Sequence, residues 1–214
     1  MNRVKIITQI EELDKKRCKI YLDQEFAFVL YKGEIREYKL KTGEPIEEQV
    51  YQAIVEEVLP KRAKKRCLNL LQKRPYTESK LREKLKDGYY SNEHIDDAIA
   101  YVKSFHYIDD YDYASQYVFY HKDTQTRKKM EEKLRMKGIS KEVLHQVFSD
   151  IYDEEEQQET ELQQAKKLLE KKSYDVLSTE GKEKQRMYAF LVRKGFTFSV
   201  IKKAMCINND IDMI

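Results

Sequence analysis

Three segments of this chain are copies of one another, and that internal repeat restricts the fold more than any other feature of the sequence. Leu81 and Leu85 fall on Met130 and Leu134 when the chain is shifted by 49 positions, and Ser91 and Ile95 fall on Ser140 and Leu144 at the same shift. A shift of 57 carries Met130, Leu134, Gly138, Ser140 and Leu144 onto Met187, Leu191, Gly195, Thr197 and Ile201. The register holds across a turn, so the repeated object is a supersecondary unit and not a single amphipathic helix.

Each copy reads as three helices. The first is supplied by Ala63 to Lys73, Asp110 to His121 and Glu159 to Lys171; the second is charged and ends near Gly88, Gly138 or Gly195; the third opens on Ser91, Ser140 or Thr197. Glycine past a C-terminus and a hydroxyl at an N-cap are the expected end signals. Thr77 and Asp109 are further cap candidates. The expected organisation is therefore mainly α: three-helix repeats over 61–107, 108–152 and 153–214, giving nine helices and no strand beyond residue 61. One such unit of about 50 residues covers little apolar surface alone, so the copies are expected to stack into a curved, elongated solenoid with a long exposed surface. Six Gly, three Pro and no Trp in 214 residues, with 37% charged side chains, agree with a helix-rich chain.

The start of the chain differs. Val4-Lys5-Ile6-Ile7, Cys18 to Leu22 and Phe26 to Tyr31 are short β-prone runs, with turn candidates at Asp23-Gln24 and Lys32-Gly33. A small antiparallel β segment is expected within 1–45. Val50, Ile54, Val55 and Val58 have helical spacing, so 46–60 reads as a linker helix ended by Pro60.

Several function classes are disfavoured. Cys18, Cys67 and Cys206 are isolated and odd in number, which argues against disulfides and a thiolate zinc site and suits reduced thiols in a cytoplasmic protein. The apolar run at the N-terminus is too short for a signal segment, and nowhere do about 18 apolar residues run together, so membrane spanning is not expected. His94, His106, His121 and His145 form no HxxxH or HExxH pair, and neither a phosphate-cradling glycine loop nor a GxSxG elbow is present. No enzyme and no cofactor are expected. Asp109, Asp110 and Asp112 lack the glycine and distal glutamate of a calcium loop and read as residues favouring a helix N-terminus.

The formal net charge of +3 hides alternating bands. Residues 61–90 carry a local +8, 91–125 a −5, 126–141 a +5, 142–163 a −8 and 182–203 a +6. Each repeat has a basic middle. Lys80 and Lys84 map onto Lys129 and Lys133, with Lys137 one turn further; the third copy keeps Arg186 and Lys194, while Phe190 interrupts the stripe. Spacing of four places these side chains on one helix face, beside the Leu/Met stripe, as a candidate binding ribbon. Lys64, Lys65 and Arg74 are secondary basic candidates. The bland alternative is a solvated face, with Glu83, Glu131 and Glu132 neutralising part of it. Tyr107, Tyr111, Tyr113, Tyr117 and Tyr120 suggest base stacking, but Tyr113 and Tyr117 share a helix face with Ala114 and Val118 and read as core.

Cys67 to Thr77 followed by Lys80-Leu81-Arg82-Glu83-Lys84-Leu85, then Tyr107-Ile108-Asp109-Asp110 with Tyr113-Ala114 and Tyr117-Val118, then Leu134 through Lys137-Gly138-Ile139, together resemble the RecX family of recombination regulators. The aspartate turn Leu22-Asp23-Gln24-Glu25-Phe26-Ala27-Phe28 is similar to the N-terminal β extension of its Gram-positive members. Two departures stand out: Tyr89 occupies the place of Gly138 and Gly195, with Gly88 displaced by one, and the third repeat, ending at Met205-Cys206, has the loosest pattern. The resemblance implies a regulator that lies in the groove of the RecA filament on DNA and curbs filament growth, ATP hydrolysis and strand exchange; the chain is expected to be a monomer in the cytoplasm. The residues alone leave two rivals open, a stand-alone nucleic-acid-binding repeat protein and a generic protein-binding adaptor.

Overall fold

The computed structural model describes residues 4–151, 154–175 and 181–206. The chain divides into two compact units, Met1–Asp109 and Asp110–Ile214.

The first unit opens with an antiparallel sheet in the order β1 (Ile7–Glu12), β2 (Arg17–Leu22), β3 (Glu25–Tyr31). Along the central strand Cys18, Ile20 and Leu22 are buried and the residues between them are half-buried, the alternation expected of a sheet with one face on a core. Asp23 and Gln24 form the tight turn between β2 and β3 with φ of 50° and 72°, the left-handed pair that suits a two-residue hairpin. Asp23 Oδ1 also accepts a hydrogen bond from the Ile6 amide at 3.1 Å.

Three local expectations fail here. The first strand starts at Ile7, not Val4; Ile6 makes only an isolated bridge to Pro45. The strand's ITQIEE sequence is too polar to announce itself, because one of its faces meets water. Lys32-Gly33 is no turn but the start of α1 (Lys32–Glu37), where Glu34 reaches back to accept the Tyr31 amide at 2.7 Å. Finally, Pro60 does not end a helix. α2 (Glu48–Gln52) passes through a π-helical turn, Ala53–Val58, directly into α3 (Leu59–Leu71). Pro60 supplies no N–H within this continuous helical run, and the widened turn before it resets the hydrogen-bond register so that the chain passes through. Within that turn the carbonyl of Val55 accepts from Nε2 of the buried His94, at 2.9 Å.

From α3 onward nine helices and no strand occur among the described residues. α3, α4 (Glu78–Lys86) and α5 (Asn92–Ser104) form the first triplet; α6 (Asp110–His121), α7 (Arg127–Met136) and α8 (Lys141–Ile151) the second; α9 (Glu154–Glu170), α10 (Gly181–Lys194) and α11 (Phe198–Ala204) the third. Each triplet has its own core: Leu81 and Leu85 with Ile95 and Val102, Met130 and Leu134 with Ala114 and Phe148, Met187 and Leu191 with Ala165 and Ile201. Leu85, Leu134 and Leu191, equivalent by the repeat shifts, are all fully buried.

The helix ends follow the same repetition. Thr77, Ser91, Ser140 and Thr197 accept the amides of Lys80, His94, Val143 and Val200 at 3.2 to 3.4 Å, and Asp109 directly precedes α6. Thr126 caps α7 in the same way, accepting from Lys129 at 3.4 Å. It lies 49 positions after Thr77, so the first repeat shift already pointed to it. After the second helix of each repeat the left-handed position is Tyr89 (φ 65°), Gly138 (φ 84°) or Gly195 (φ 94°). Tyr89 holds a conformation that glycine holds in the other copies, and its ring rests against Phe26 with Lys19 Nζ 5.3 Å above it. The displaced Gly88 is not in the left-handed region.

Gly195 makes a prediction. Its φ is unfavourable for any L side chain, and a Cβ there would stand 2.6 Å from Thr126 Oγ1 and 3.0 Å from Lys129 Cγ. Thr126 Oγ1 donates to the Lys194 carbonyl at 3.2 Å, so the methyl group of an alanine would push on a buried cap that ties the second and third repeats together. Gly195→Ala is expected to cost about 1 to 3 kcal/mol, while Gly181→Ala, with open space around it, should be nearly neutral. Equal urea midpoints for the two variants would contradict this.

Candidate basic interface

The sequence ribbon is exposed or half-buried throughout, but its members differ in what they touch. In the first repeat Lys80 pairs with Glu83 and Lys84 with Asp87 Oδ2, at 3.0 Å. The Lys84 ammonium is held above its usual range by that hydrogen bond to Asp87. Lys129 pairs with Glu132 at 2.8 Å, and this contact lowers the Glu132 carboxyl. Local carboxylates therefore offset part of the ribbon, Glu83 and Glu132 among them as the spacing suggested. Lys133 instead donates to the amide oxygen of Gln125 at 2.7 Å. Lys137 lies 5.5 Å over the Tyr113 ring, Lys194 5.6 Å over the Phe190 ring, and Arg186 is exposed on α10.

The second unit brings Lys129, Lys133 and Lys194 to one cleft between the second and third repeats. Lys137 and Arg186 do not line it, and Lys80 and Lys84 belong to the other unit. The cleft is held by contacts that join α9 to the end of α6 and the start of α7. Glu161, buried on α9, accepts the Arg127 amide at 3.0 Å, placing a carboxylate at the positive end of α7. Gln164 Nε2 donates to the Lys122 carbonyl at 3.0 Å. The two repeats thus meet through side chains on backbone groups, which fixes the distance between their basic faces.

The secondary candidates are ordinary surface cations. Lys64 pairs with Asp97 at 2.8 Å and sits 5.4 Å over Tyr101, Arg74 stacks on Tyr76 at 4.7 Å, and Lys65 is exposed. Tyr113 and Tyr117 pack against the second core, as does Tyr111, whose hydroxyl donates to Asp150. Phe119 and Tyr120 stand out as an exposed pair. Among the described residues no group of three His, Cys, Asp or Glu side chains is placed to hold a metal ion, and Cys67 is fully buried, its thiol pushed up to about 11 by that burial. No helix among the described residues is long and apolar enough to cross a membrane.

One ion-pair network on α4 gives a pH prediction. Glu78 accepts from Arg82 Nε at 2.8 Å and from Lys103 of α5, while Arg82 also reaches Asp96. Partial burial acts to raise the Glu78 carboxyl, but the hydrogen bonds from Lys103 and Arg82 outweigh it and bring it below the ordinary value of 4.5. A carboxyl depressed in the folded state stabilises above its unfolded value, and that contribution fades as pH falls through the folded value. Glu78→Gln is therefore expected to be less stable than the native chain at neutral pH and to converge with it in acid below pH 4.5. A stability gap independent of pH would contradict it.

Comparison with known proteins agrees with this architecture. Residues 63–101 match the RecX first three-helix domain and residues 159–205 the RecX third three-helix domain. The regulatory protein RecX of Clostridium perfringens (strain SM101) is 30% identical over 199 residues, covering 89% of each chain. That of Clostridium beijerinckii is 28% identical, covering 94% of this chain and 96% of its own. A crystal structure of regulatory protein RecX superposes with a TM-score of 0.61 at 26% identity, over 94% of this chain and 98% of the other. The fold of RecX from Lactobacillus salivarius is shared as well, at a TM-score of 0.59 and 22% identity over 70% of this chain and 96% of that one. With two three-helix domains matched and 30% identity to a regulatory protein RecX over 89% of each chain, this chain belongs to the RecX family of regulatory proteins.

Proposed function

We propose that this chain binds the filament formed by the RecA recombinase on DNA and restrains its growth, ATP hydrolysis and strand exchange, with no cofactor and no catalysis of its own. It is read as a cytoplasmic monomer. Family membership supports a regulatory role, and the observation that carries the partner is the repeated basic face. In the first two repeats the second helix presents lysines one turn apart, Lys80/Lys84 and Lys129/Lys133, beside fully buried Leu81/Leu85 and Met130/Leu134. Arg186 and Lys194 stand on the matching helix of the third. A cationic face recurring in each repeat suits a partner that is itself periodic and anionic, as a protein filament on a phosphate backbone is.

The test is a titration of the purified chain into cognate RecA assembled on single-stranded DNA, with ATP hydrolysis and filament length followed together. Both should fall as the chain is added. Unchanged hydrolysis and unchanged filaments at saturating chain would overturn the reading.

A further inference from the structure

The cleft between the second and third repeats holds more charge than the ribbon brings to it. Besides Lys129, Lys133 and Lys194, it is lined by Lys167 of α9, Lys171 just past its end and Arg193 from α10, six cations against the single carboxylate of Asp123. Of these six, only Lys129 is paired with a carboxylate among the described residues. Three of the four basic side chains on α4 are arranged differently, since Lys80, Arg82 and Lys84 each have an acidic partner. Charge collected on three helices and left without local carboxylates costs folding through mutual repulsion, and a bound anion relieves that cost.

The space itself limits what the anion can be. Its volume is about 660 Å³, inside the range of small-molecule sites, and it is too confined for a duplex whose major groove alone is about 12 Å wide. Phe190, Leu168 and Phe196 supply an apolar wall below the cations. Lys129/Lys133 on one side and Lys167/Lys171 on the other are each one helical turn apart, about 6 Å along the axis, so a short chain of phosphates can meet several ammonium groups at once. Acidic peptide side chains carry one charge each on separate stems, whereas a polyphosphate concentrates three or four on adjacent groups. Lys172 Nζ and Lys194 Nζ lie 5.7 and 5.6 Å over the Phe190 ring, so a planar base beside the phosphates would stack there by displacing one of these flexible side chains.

We propose that this cleft is a binding site for a free nucleoside polyphosphate, with the phosphate chain held between Lys129/Lys133 and Lys167/Lys171, Arg193 at its end, and the base on the Phe190 wall. The site shares Lys129 and Lys133 with the ribbon, but the inference concerns the chain alone, and Lys167, Lys171, Arg193 and Phe190, which lie outside the ribbon, separate its test from that of the filament reading.

The experiment is calorimetric titration of the full chain, without RecA, with ATP, GTP, inorganic tripolyphosphate and a five-nucleotide oligothymidylate. ATP or GTP should saturate at one per chain. The double variant Lys167→Gln/Lys171→Gln, at exposed positions, should keep its helicity by circular dichroism and weaken nucleotide binding by about tenfold or more. Phe190→Ala should weaken nucleotide by at least about fivefold and leave tripolyphosphate unchanged. Absence of saturable nucleotide binding, or binding indifferent to the double lysine variant, would overturn the site. Tripolyphosphate binding as tightly as ATP, with no effect of Phe190→Ala, would overturn the nucleoside. Tight oligothymidylate binding that ATP fails to displace would overturn it in favour of a nucleic-acid strand.

Discussion

Leu134→Ala should lower the stability of the second repeat by about 2 to 5 kcal/mol. Leu134 has no solvent exposure and is enclosed by Ala114, Val118, Met130, Ile139, Leu144, Val147 and Phe148, contributed by all three helices of its triplet and the turn between two of them. Removing three side-chain carbons there loses transfer free energy and leaves a cavity that fully enclosed neighbours cannot easily collapse. The core of one repeat is small, so a loss of this size is a large share of what a unit of this length has to lose. Urea unfolding followed by circular dichroism reads it directly. The exposed Met136, two residues beyond Leu134 on the same helix, is the control: Met136→Ala should move the midpoint little. A Leu134→Ala midpoint matching that of Met136→Ala would contradict the packing described here.

What was legible in the sequence follows from distance along the chain. The Leu/Met stripes, the hydroxyl caps at Thr77, Ser91, Ser140 and Thr197 and the glycines at 138 and 195 are local signals, and the repeat shifts reinforced them by recurrence. Where the signal was neither repeated nor apolar, the reading slipped. β1 is too polar to stand out, Glu34 turns Lys32-Gly33 into a helix start, and a π turn carries the chain through Pro60. Thr126 was missed although its shift from Thr77 is the same 49 that aligns the leucines. Lys167 and Lys171 were hidden for a different reason. They lie on and just past the first helix of the next repeat, which Glu161 on the Arg127 amide and Gln164 on the Lys122 carbonyl tie to the start of α7 and the end of α6. No spacing rule within one repeat reaches them.

The second large effect is expected from reversing the ribbon. Lys80→Glu, Lys84→Glu, Lys129→Glu and Lys133→Glu together remove two charge units each and take the formal net charge from +3 to −5. None of these side chains is in a core, and the partners they lose, Glu83, Asp87, Glu132 and the Gln125 amide, are solvent-accessible, so helicity and thermal midpoint should stay close to native. Glu83, Asp87 and Glu132 then add to the reversed charge instead of offsetting it. On the proposed function the basic face becomes repulsive to an anionic filament, and association should fail on electrostatic grounds while the fold persists.

The central claim is that this face carries filament binding, and its most direct measurement is suppression of RecA ATP hydrolysis by the native chain and by the quadruple variant across a salt series. The native chain should suppress hydrolysis, with an affinity that falls as salt rises. The folded variant should need a far higher concentration at every salt, with a log-log slope shallower by about one unit per phosphate contact removed. A well-folded variant that suppresses hydrolysis at the native concentration, with the native salt slope, would contradict the account and return Lys80, Lys84, Lys129 and Lys133 to the role of solubilising charge.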